Sequence, residues 1–560
     1  MKNHLLLGFC GLLVACLGDG GDGVTNELPR TSPQLIFSTY VGGSTPCDRC
    51  KAADVNTFVL NSASDGDGNT YVTGATQVKD LPVKNARQSQ PAAGSLKSAF
   101  VIKLDATGQI LWATYFGGNN QTVGIGIVAM PGGGVAIAGL TSSDSGNPLP
   151  TKNAYQAAYH GGLSDYFVAV FDSDGNLEYS TYLGGSAAEG EAPSQFDDNT
   201  SNGNNLAVDS SGLLYVTGTT ASGNVTLSFP LTPNAVQPKF GGMTDAFLAI
   251  IDPGKTGSAS LLYSSFIGGE LVENGHAITV NKSGSTIAVV GYTDSTKFPA
   301  TANGLRSTPP KSGSNGFVAQ LSSSLPGNPS SQYTVPYATY LGASSSQARD
   351  DSYAVAQDPA GLIVITGRTQ SADFPMLPSS RASIYNSAPY LGQGSSDDEP
   401  YLVKLDTSAT GADSLVYATF LGGGNGGAFC TAVAVGNSGA SYVVGETSAP
   451  GILYQYSGVP QEAPTATPYT ADALSTANNG SPDVLLMQVS ADGGTLSYST
   501  FLGTPQNDRG YGVAVDPSGN VVVSGLTYSD NFPLKNQAQN WPGNTGGANG
   551  FVTKFGGLTE

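Results

Sequence analysis

The sequence predicts an all-β protein, a single seven-bladed β-propeller with four-stranded blades, from three observations. Glycine supplies 75 of the 560 residues and charged residues only 12%, a composition that favours turns and strands over solvent-exposed helices. Two short sequence patterns each recur seven times along the chain. A copy of one pattern opens the chain without the rest of its repeat, which predicts how the two ends of the chain meet.

The first pattern is an aromatic segment that mostly ends in Gly-Gly. Its copies are FSTYVGG at 37–43, WATYFGG at 112–118, YSTYLGG at 179–185, YSSFIGG at 263–269, YATYLGA at 337–343, YATFLGG at 417–423 and YSTFLGT at 498–504. Aromatic residues and Thr favour strands, and Gly favours the turn that follows. Each copy therefore predicts the last strand of one repeat.

The second pattern is an apolar strand with a central glycine. Its copies are YVTGAT at 71–76, AIAGLT at 136–141, YVTGTT at 215–220, VVGYT at 289–293, VITGRT at 364–369, VVGET at 443–447 and VVSGLT at 522–527. A strand such as NLAVD at 205–209 precedes each copy, and a strand that starts at an aromatic or Leu residue follows it. Apolar runs without alternation predict burial on both faces, as in radially packed blades.

The order of these patterns predicts how the propeller closes. The chain begins with a last-strand copy at 36–42 and ends a few residues after the third-strand copy at 551–555. The first strand should therefore complete the last blade, which hides two strand edges that would otherwise pair with other chains.

The combined repeat carries a family resemblance. The segments DSSGLLYVTGTT (209–220), FPLTPNAVQPKFGGMTDAFLAIID (229–252) and LLYSSFIGG (261–269) resemble the bacterial SBBP β-propeller repeats of exported and surface proteins. The resemblance extends over about residues 35 to 557 and implies the fold. It carries over no catalytic residue, because function depends on sites grafted onto a fold.

The first residues have the features of an export signal. Lys2 precedes an apolar stretch at 5–15 that is too short to span a bilayer. Leu13-Val14-Ala15-Cys16 resembles the lipobox of bacterial lipoproteins, which implies cleavage before Cys16 and lipidation of Cys16. The alternative is an ordinary secretory signal with an incidental cysteine.

The predicted domains are a signal peptide at 1–15, a flexible tether at 16–34 and the propeller at 35–560. Leu17 stands where Asp is the usual inner-membrane retention signal. The lipoprotein resemblance therefore implies an outer-membrane or cell-surface location in the cell envelope.

The net charge limits the range of partners. With 42 acidic and 23 basic residues the formal charge is −19, which repels phosphate backbones and anionic lipid headgroups. We expect a monomer that binds no nucleic acid and meets the membrane only through its lipid.

Loop length separates the two faces of the predicted propeller. The connections between the first and second strands of each repeat are tight, whereas those between the second and third strands are long, and 370–400 and 448–484 are the longest. Because long loops on a rigid scaffold often carry binding residues, these two loops are the first choice for ligand contact. The alternative is that they only cover that face.

Acidic residues gather between repeats on the same face. They are Asp48, Glu189, Glu191, Asp197, Asp198, Glu270, Glu273, Asp350, Asp351 and Asp508. A Ca²⁺ ion would need several of their oxygens to converge, but solvated turn carboxylates are the favoured interpretation. No metal ligand and no cofactor are assigned.

Catalytic chemistry is sparse in the sequence. His160 and His276 lie in different repeats, so a Ser-His-Asp triad or a multi-His metal site is hard to build, and no catalytic residue is predicted. Cys47 and Cys50 are interpreted as a local disulfide, with Cys430 left free and packed as a small hydrophobe.

The leading functional hypothesis is a non-enzymatic scaffold that binds protein or glycan at the cell envelope. One alternative is a glycoside hydrolase or polysaccharide lyase, which would bring two acids about 5 to 10 Å apart in a closed pocket. A purely structural envelope role is the other alternative.

Overall fold

The computed structural model describes most of the chain from residue 33 onward. The described residues are 33–558 without 52–54, 191–202, 310–312, 326–327, 329–330, 343–348, 372–373, 377–383, 385–397, 423–427, 454–465, 480–481 and 544–545. The predicted signal peptide, Cys16 and nearly all of the predicted tether lie outside them. Among the described residues, no helix has the length and apolar character needed to cross a membrane.

The described chain is built of strands, which we group into units of four. The chain opens with β1 (Gln34–Val41). The strands of unit 1 are β2 (Thr57–Ser64), β3 (Thr70–Thr76), β4 (Ser95–Leu104) and β5 (Ile110–Phe116). Those of unit 2 are β6 (Asn120–Ala129), β7 (Val135–Thr141), β8 (Asp165–Phe171) and β9 (Leu177–Leu183). Those of unit 3 are β10 (Leu206–Val208), β11 (Leu214–Thr220), β12 (Asp245–Ile251) and β13 (Leu261–Ile267).

The same arrangement continues to the end of the chain. The strands of unit 4 are β14 (Glu273–Val280), β15 (Thr286–Thr293), β16 (Asn315–Ser322) and β17 (Thr334–Leu341). Those of unit 5 are β18 (Asp350–Gln357), β19 (Ile363–Thr369), β20 (Glu399–Leu405) and β21 (Leu415–Phe420). Unit 6 contains β22 (Ala428–Val435), β23 (Ser441–Thr447), β24 (Gly451–Leu453), β25 (Thr467–Tyr469), β26 (Asp483–Val489) and β27 (Leu496–Leu502). Unit 7 contains β28 (Asp508–Val515), β29 (Val521–Thr527) and β30 (Asn549–Gly556). Two short 3₁₀ turns lie at Gly257–Ser260 and Gly411–Ser414.

Each unit is an antiparallel sheet whose strands pair in chain order. In unit 6 the short β24 and β25 pair with each other in parallel, inside the loop between β23 and β26. Units 1 and 2 are also joined at one edge, where Ser95 and Lys97 of β4 pair in parallel with Asn120 and Gln121 of β6. The architecture is therefore all-β, and most connections are local hairpins.

The first strand belongs to the last sheet. β1 pairs antiparallel with β30 from Gln34–Gly556 to Val41–Gly550, giving the strand order β1-β30-β29-β28. The Tyr40 hydroxyl donates to the Ser529 carbonyl at 2.7 Å, far along the chain. This is the pairing that the order of the sequence patterns predicts.

A β-bulge explains the glycine of the second sequence pattern. In β2, β6, β14, β18, β22 and β28 the register shifts near the start of the strand. The shift brings a carbonyl of the bulged strand against the glycine opposite, so a Cβ on Gly367 would lie 1.9 Å from the Asp351 oxygen. Only glycine can occupy that position without moving the backbone.

Neighbouring units pack through the first strand of each. β2 contacts both β6 and β28, and β18 contacts both β14 and β22. The apolar core runs across these contacts: Phe37 of β1 and Val552 of β30 share one buried cluster with Val59 and Phe100 of unit 1. Burying one such large side chain contributes roughly 1.5–3 kcal/mol, so each unit stabilises its neighbours.

Aspartate closes the tight turns between the first and second strands of units 1, 3, 5 and 7. Asp358 accepts hydrogen bonds from the backbone N–H groups of Ala360 (2.9 Å) and Leu362 (2.8 Å), an Asx-type turn. Lys404 of β20 reaches the other Asp358 oxygen at 2.7 Å, and both side chains are almost fully buried. Lys554 and Asp516 repeat this ion pair in unit 7.

Candidate functional site

A group of charged and aromatic side chains lies where units 4 and 5 meet. The unit 4–5 cluster comprises His276, Tyr292, Arg349, Asp351, Tyr353 and Arg368. These residues lie at or just before the start of β14 and β18 and at the end of β15 and β19. The cluster is therefore on the face from which the long loops leave the sheets.

Asp351 is the centre of the cluster. It is fully buried, and its Oδ2 accepts hydrogen bonds from Arg349 Nε, Arg368 Nε and the Tyr353 hydroxyl, each at 2.9 Å. Arg368 also donates from Nη1 to Asp398 at 2.7 Å. Burial and the Asp351 charge hold the pKa of Tyr353 well above its usual value, so the phenol stays protonated and remains a donor.

Aromatic rings cover one side of this ion cluster. His276 stacks on Tyr353, with ring centroids 5.5 Å apart and an interplanar angle of 28°, and lies 5.5 Å from Tyr292. Burial lowers the pKa of His276, which favours the neutral ring at pH 7. The Arg349 guanidinium lies 5.5 Å from the centroid of the Tyr292 ring, and the Arg349 side chain is 49% exposed. The cluster thus presents a fixed cation and an aromatic ring to solvent.

The bulges in β14 and β18 explain why His276 and Tyr353 meet in this cluster. His276 and Tyr353 occupy the extra position of the bulges in β14 and β18, and a bulge turns its extra residue out of the ladder. In units 1, 2 and 7 the same position holds Leu60, Ile125 and Tyr511, which share one apolar cluster. At this position units 4 and 5 therefore differ from units 1, 2 and 7, and no sequence pattern singled these residues out as a group.

The first predicted ligand loop, 370–400, borders the cluster at both of its ends. Gln370 Nε2 donates to Asp398 Oδ1 at 2.8 Å, and the Arg349 N–H donates to Gln370 Oε1 at 3.3 Å. Most of the interior of this loop lies outside the described residues. Its described ends therefore lie beside Arg349 of the cluster.

The second predicted loop, 448–484, packs against unit 6. It contains the β24–β25 pair, and Asn478 Nδ2 donates to the Thr447 carbonyl at 2.8 Å. The Thr467 hydroxyl lies 2.8 Å from that of Thr447. The described part of this loop is therefore hydrogen-bonded to its own sheet.

The prediction of solvated acids between repeats is wrong for half of the residues it named. Five of them are buried with at most 1% exposure: Glu189, Glu273, Asp350, Asp351 and Asp508. Their oxygens accept hydrogen bonds from neighbouring strands, as from the Thr293 hydroxyl to Glu273 at 2.5 Å, and burial of a carboxyl requires such partners. Asp48 is exposed and pairs with Lys79 at 3.0 Å, and Glu270 accepts from Thr296 at 2.6 Å.

The three remaining predicted acids, Glu191, Asp197 and Asp198, lie outside the described residues. Across the described part of the chain, no three His, Cys, Asp or Glu side chains are grouped so that they could hold a metal ion.

The cysteines and histidines are separated in space. Cys47 and Cys50 are joined by a disulfide with Cα atoms 5.0 Å apart. Cys430 is free and buried in an apolar cluster, and burial raises the pKa of its thiol to about 12. His160 lies in unit 2 with Nδ1 3.1 Å from the Gly184 carbonyl. His276 lies in the unit 4–5 cluster, so the two rings do not form one site.

The opposite face carries concave surface that the sequence did not indicate. The first strands of the units enclose a cavity of about 350 Å³, lined among others by Val128, Val280, Val433 and Val513. A wider pocket of about 910 Å³ lies among the tight turns of units 4 to 6. Its walls are polar backbone turns, and it contains no aromatic side chain.

The fold and the repeats together define the class of this protein: it is an all-β repeat protein of the β-propeller type. A family model described as a beta-propeller repeat, SBBP, matches residues 498–533. This match covers β27, β28 and β29, the segment in which the aromatic strand of one unit passes into the first strands of the next. No curated protein matches the chain.

Solved structures with a similar arrangement are distant in sequence. A mutant puromycin hydrolase complexed with PGG is 9% identical with a TM-score of 0.39, over 87% of this chain and 53% of that chain. The Pan2 WD40 domain of Neurospora crassa is 9% identical with a TM-score of 0.39, over 94% of this chain and 96% of that chain. The tricorn protease is 10% identical with a TM-score of 0.32, over 90% and 33%. This chain spans about half the length of the puromycin hydrolase chain that it matches.

Proposed function

We propose that units 1 to 7 are the seven blades of one propeller, closed by the first strand of the chain. Two observations support this architecture. β1 pairs with β30 in the sheet of unit 7, and β2 of unit 1 contacts β28 of unit 7 as well as β6 of unit 2. A closed ring leaves no exposed sheet edge between its first and last blades.

On this scaffold we propose a non-enzymatic binding function, with a protein or a glycan as ligand. The observation that carries the proposal is Arg349, half exposed, packed over Tyr292 and held by the buried Asp351. Arg and Tyr dominate the binding energy of many interfaces when neighbouring contacts hold them in place. Five of the acids between repeats are buried at the sheet contacts, where a polymer cannot reach them.

The test of this function is a glycan array together with a panel of purified envelope proteins. For any ligand found, Arg349→Ala and Tyr292→Ala are each expected to weaken binding by roughly tenfold or more, because each removes an anchor at the surface. Lys239→Ala is the matched control, since Lys239 is an exposed cation in unit 3. Equal affinity of Arg349→Ala and the unmodified protein would show that the ligand binds elsewhere.

We also propose that the protein is exported and held at the outer membrane or cell surface by a lipid on Cys16. The support is the sequence Leu13-Val14-Ala15-Cys16 after an apolar stretch. Cys16→Ser is expected to remove the protein from the membrane fraction and to abolish labelling by palmitate, with an unchanged melting temperature. If the unmodified protein takes up no labelled palmitate, the anchor proposal is wrong.

A further inference from the structure

Three pairs of acidic residues are buried where consecutive units meet. One acid opens the third strand of a unit, and its partner lies at or before the first strand of the next unit. The pairs are Asp165 with Glu189, Asp245 with Glu273, and Asp483 with Asp508, and all six side chains are 0% exposed. We call each of these junctions a seam.

The glycine after the aromatic pattern brings the two carboxyls of each pair together. A Cβ on Gly184 would lie 2.5 Å from Asp165 Oδ1 and 3.0 Å from Glu189 Oε2. The corresponding distances are 2.5 and 2.8 Å at Gly268, and 2.6 and 2.8 Å at Gly503. Oxygens of both acids therefore converge on the same small space in all three seams.

The surroundings of the pairs supply hydrogen-bond donors. Backbone N–H groups donate to Asp245 Oδ2 from Gly241 at 2.8 Å and to Asp508 Oδ2 from Thr504 at 2.8 Å. Within the described structure the facing oxygens Asp165 Oδ1, Asp245 Oδ1 and Asp483 Oδ1 have no hydrogen-bond donor. A cation would need several further oxygen ligands, whereas a proton on one carboxyl of a pair supplies the missing donor.

The other seams of this chain carry less charge at the equivalent positions. One seam pairs Asn315 with Asp350, and a Cβ on Gly342 would lie 2.3 Å from Asn315 Oδ1 and 2.6 Å from Asp350 Oδ2. The remaining equivalents are Ser98 with Thr122, Glu399 with Ala428, and Asn549 with Thr57. None of these four seams places two ionisable groups together, and only those of Asp350 and Glu399 carry an acid at these positions.

We propose that each acid pair holds one shared proton in mildly acidic solution and that its loss at higher pH weakens the contact between the two units. The protein is then a pH-sensitive ring whose units are joined most firmly in mildly acidic surroundings. This inference concerns the contacts between units and does not depend on the proposed ligand.

Burial raises the pKa values of the paired carboxyls. Burial, with the partner carboxylate adding to it, raises the pKa of Asp508 to about 7, and burial raises that of Asp483 to about 6. Burial raises the pKa of Asp245 to about 6, and those of Glu273, Asp165 and Glu189 are also raised.

No cation in the described ion pairs contacts these six acids. The titratable groups that face the pairs are Tyr159, His160 and Tyr182 at the first seam, Glu270 and Tyr340 at the second, and Tyr40 at the third.

The sign of the pH dependence follows from these raised values. Unfolded carboxyls lose their protons near pH 4, whereas the folded pairs keep theirs to about pH 6 or 7. Between these limits the folded state binds more protons than the unfolded state. The contribution of these pairs to stability is therefore largest below about pH 4 to 5, and it falls as the pH rises. Each shared proton makes the unfolding equilibrium constant rise up to about tenfold per pH unit.

The experiment compares three forms of the full chain in urea unfolding from pH 5 to pH 9 with EDTA present. The seam variant is Asp165→Asn, Asp245→Asn and Asp483→Asn, which copies the seam of Asn315 and Asp350. The control variant is Asp67→Asn, Asp174→Asn and Glu178→Gln, three exposed acids whose replacement gives the same change in formal net charge. We expect the seam variant to lose most of the pH dependence and the control variant to keep it.

Two results would overturn the proposal. The first is a seam variant that unfolds with the same pH dependence as the unmodified protein. The second is stabilisation of the unmodified protein, but not of the seam variant, by millimolar Ca²⁺ at pH 8, which would assign the pairs to a cation. If the seam variant does not fold, the unmodified protein is unfolded at pH 6 and the protons that it releases are measured. Proton release supports the shared protons, whereas no release or a net uptake of protons contradicts them.

Discussion

Removing residues 1–43 is expected to lower the free energy of unfolding by roughly 5 kcal/mol or more, because it takes β1 out of the last sheet. Phe37, Tyr40 and Val41 are each at most 3% exposed, and burial of one such side chain contributes roughly 1.5–3 kcal/mol. The loss also leaves β30 with an unpaired edge, so the shortened chain should self-associate. Urea unfolding and size-exclusion chromatography measure the two effects.

The matched control is removal of residues 1–32, which keeps all of β1 (Gln34–Val41). This chain should unfold at the same urea concentration as the unmodified protein and remain monomeric. If both truncations behave alike, β1 contributes nothing to the last sheet and the proposed closure is wrong.

Lys404→Ala is expected to cost about 3–5 kcal/mol, because it leaves the Asp358 carboxylate buried without its cation. Lys404 Nζ lies 2.7 Å from Asp358 and also donates to the Ala491 carbonyl of unit 6 at 3.0 Å. The two side chains of the ion pair are 3% and 4% exposed. The free energy of unfolding from urea titration at pH 7 measures the loss.

A more exposed ion pair, in the turn between β12 and β13, provides the comparison. Lys255 lies 3.3 Å from Asp252, and the two side chains are 44% and 25% exposed, so Lys255→Ala should change stability by less than about 1 kcal/mol. The double variant Lys404→Met with Asp358→Asn should recover much of the loss, since no charge is then buried alone. Similar effects of Lys404→Ala and Lys255→Ala would show that burial of the pair has no special weight.

These two experiments probe different contacts of the fold. The truncation removes a strand whose partner is more than five hundred residues away, with Tyr40 bound to Ser529. The lysine variant removes a side chain that ties the third strand of one unit to a turn of its own sheet and to the next unit.

Local sequence alone determined the strands and their order. The aromatic pattern and the apolar pattern each describe one strand with its flanking turn, and strand propensity and glycine act within a few residues. The sequence patterns also predicted the pairing of Gln34–Val41 with Asn549–Gly556, because the first aromatic copy stands without the other strands of its repeat and the repeat at 508–556 has no aromatic copy of its own.

Tertiary structure alone decided which side chains meet. The sequence marked Glu189 only as one of several acids between repeats, yet units 2 and 3 bury it against Asp165. The sequence placed His276 only in a different repeat from His160, yet two bulges bring its ring onto that of Tyr353. The physical reason is that burial and charge pairing depend on distances between units. The repeat pattern predicts the strands of each unit, but it does not predict which side chains of the neighbouring unit they contact.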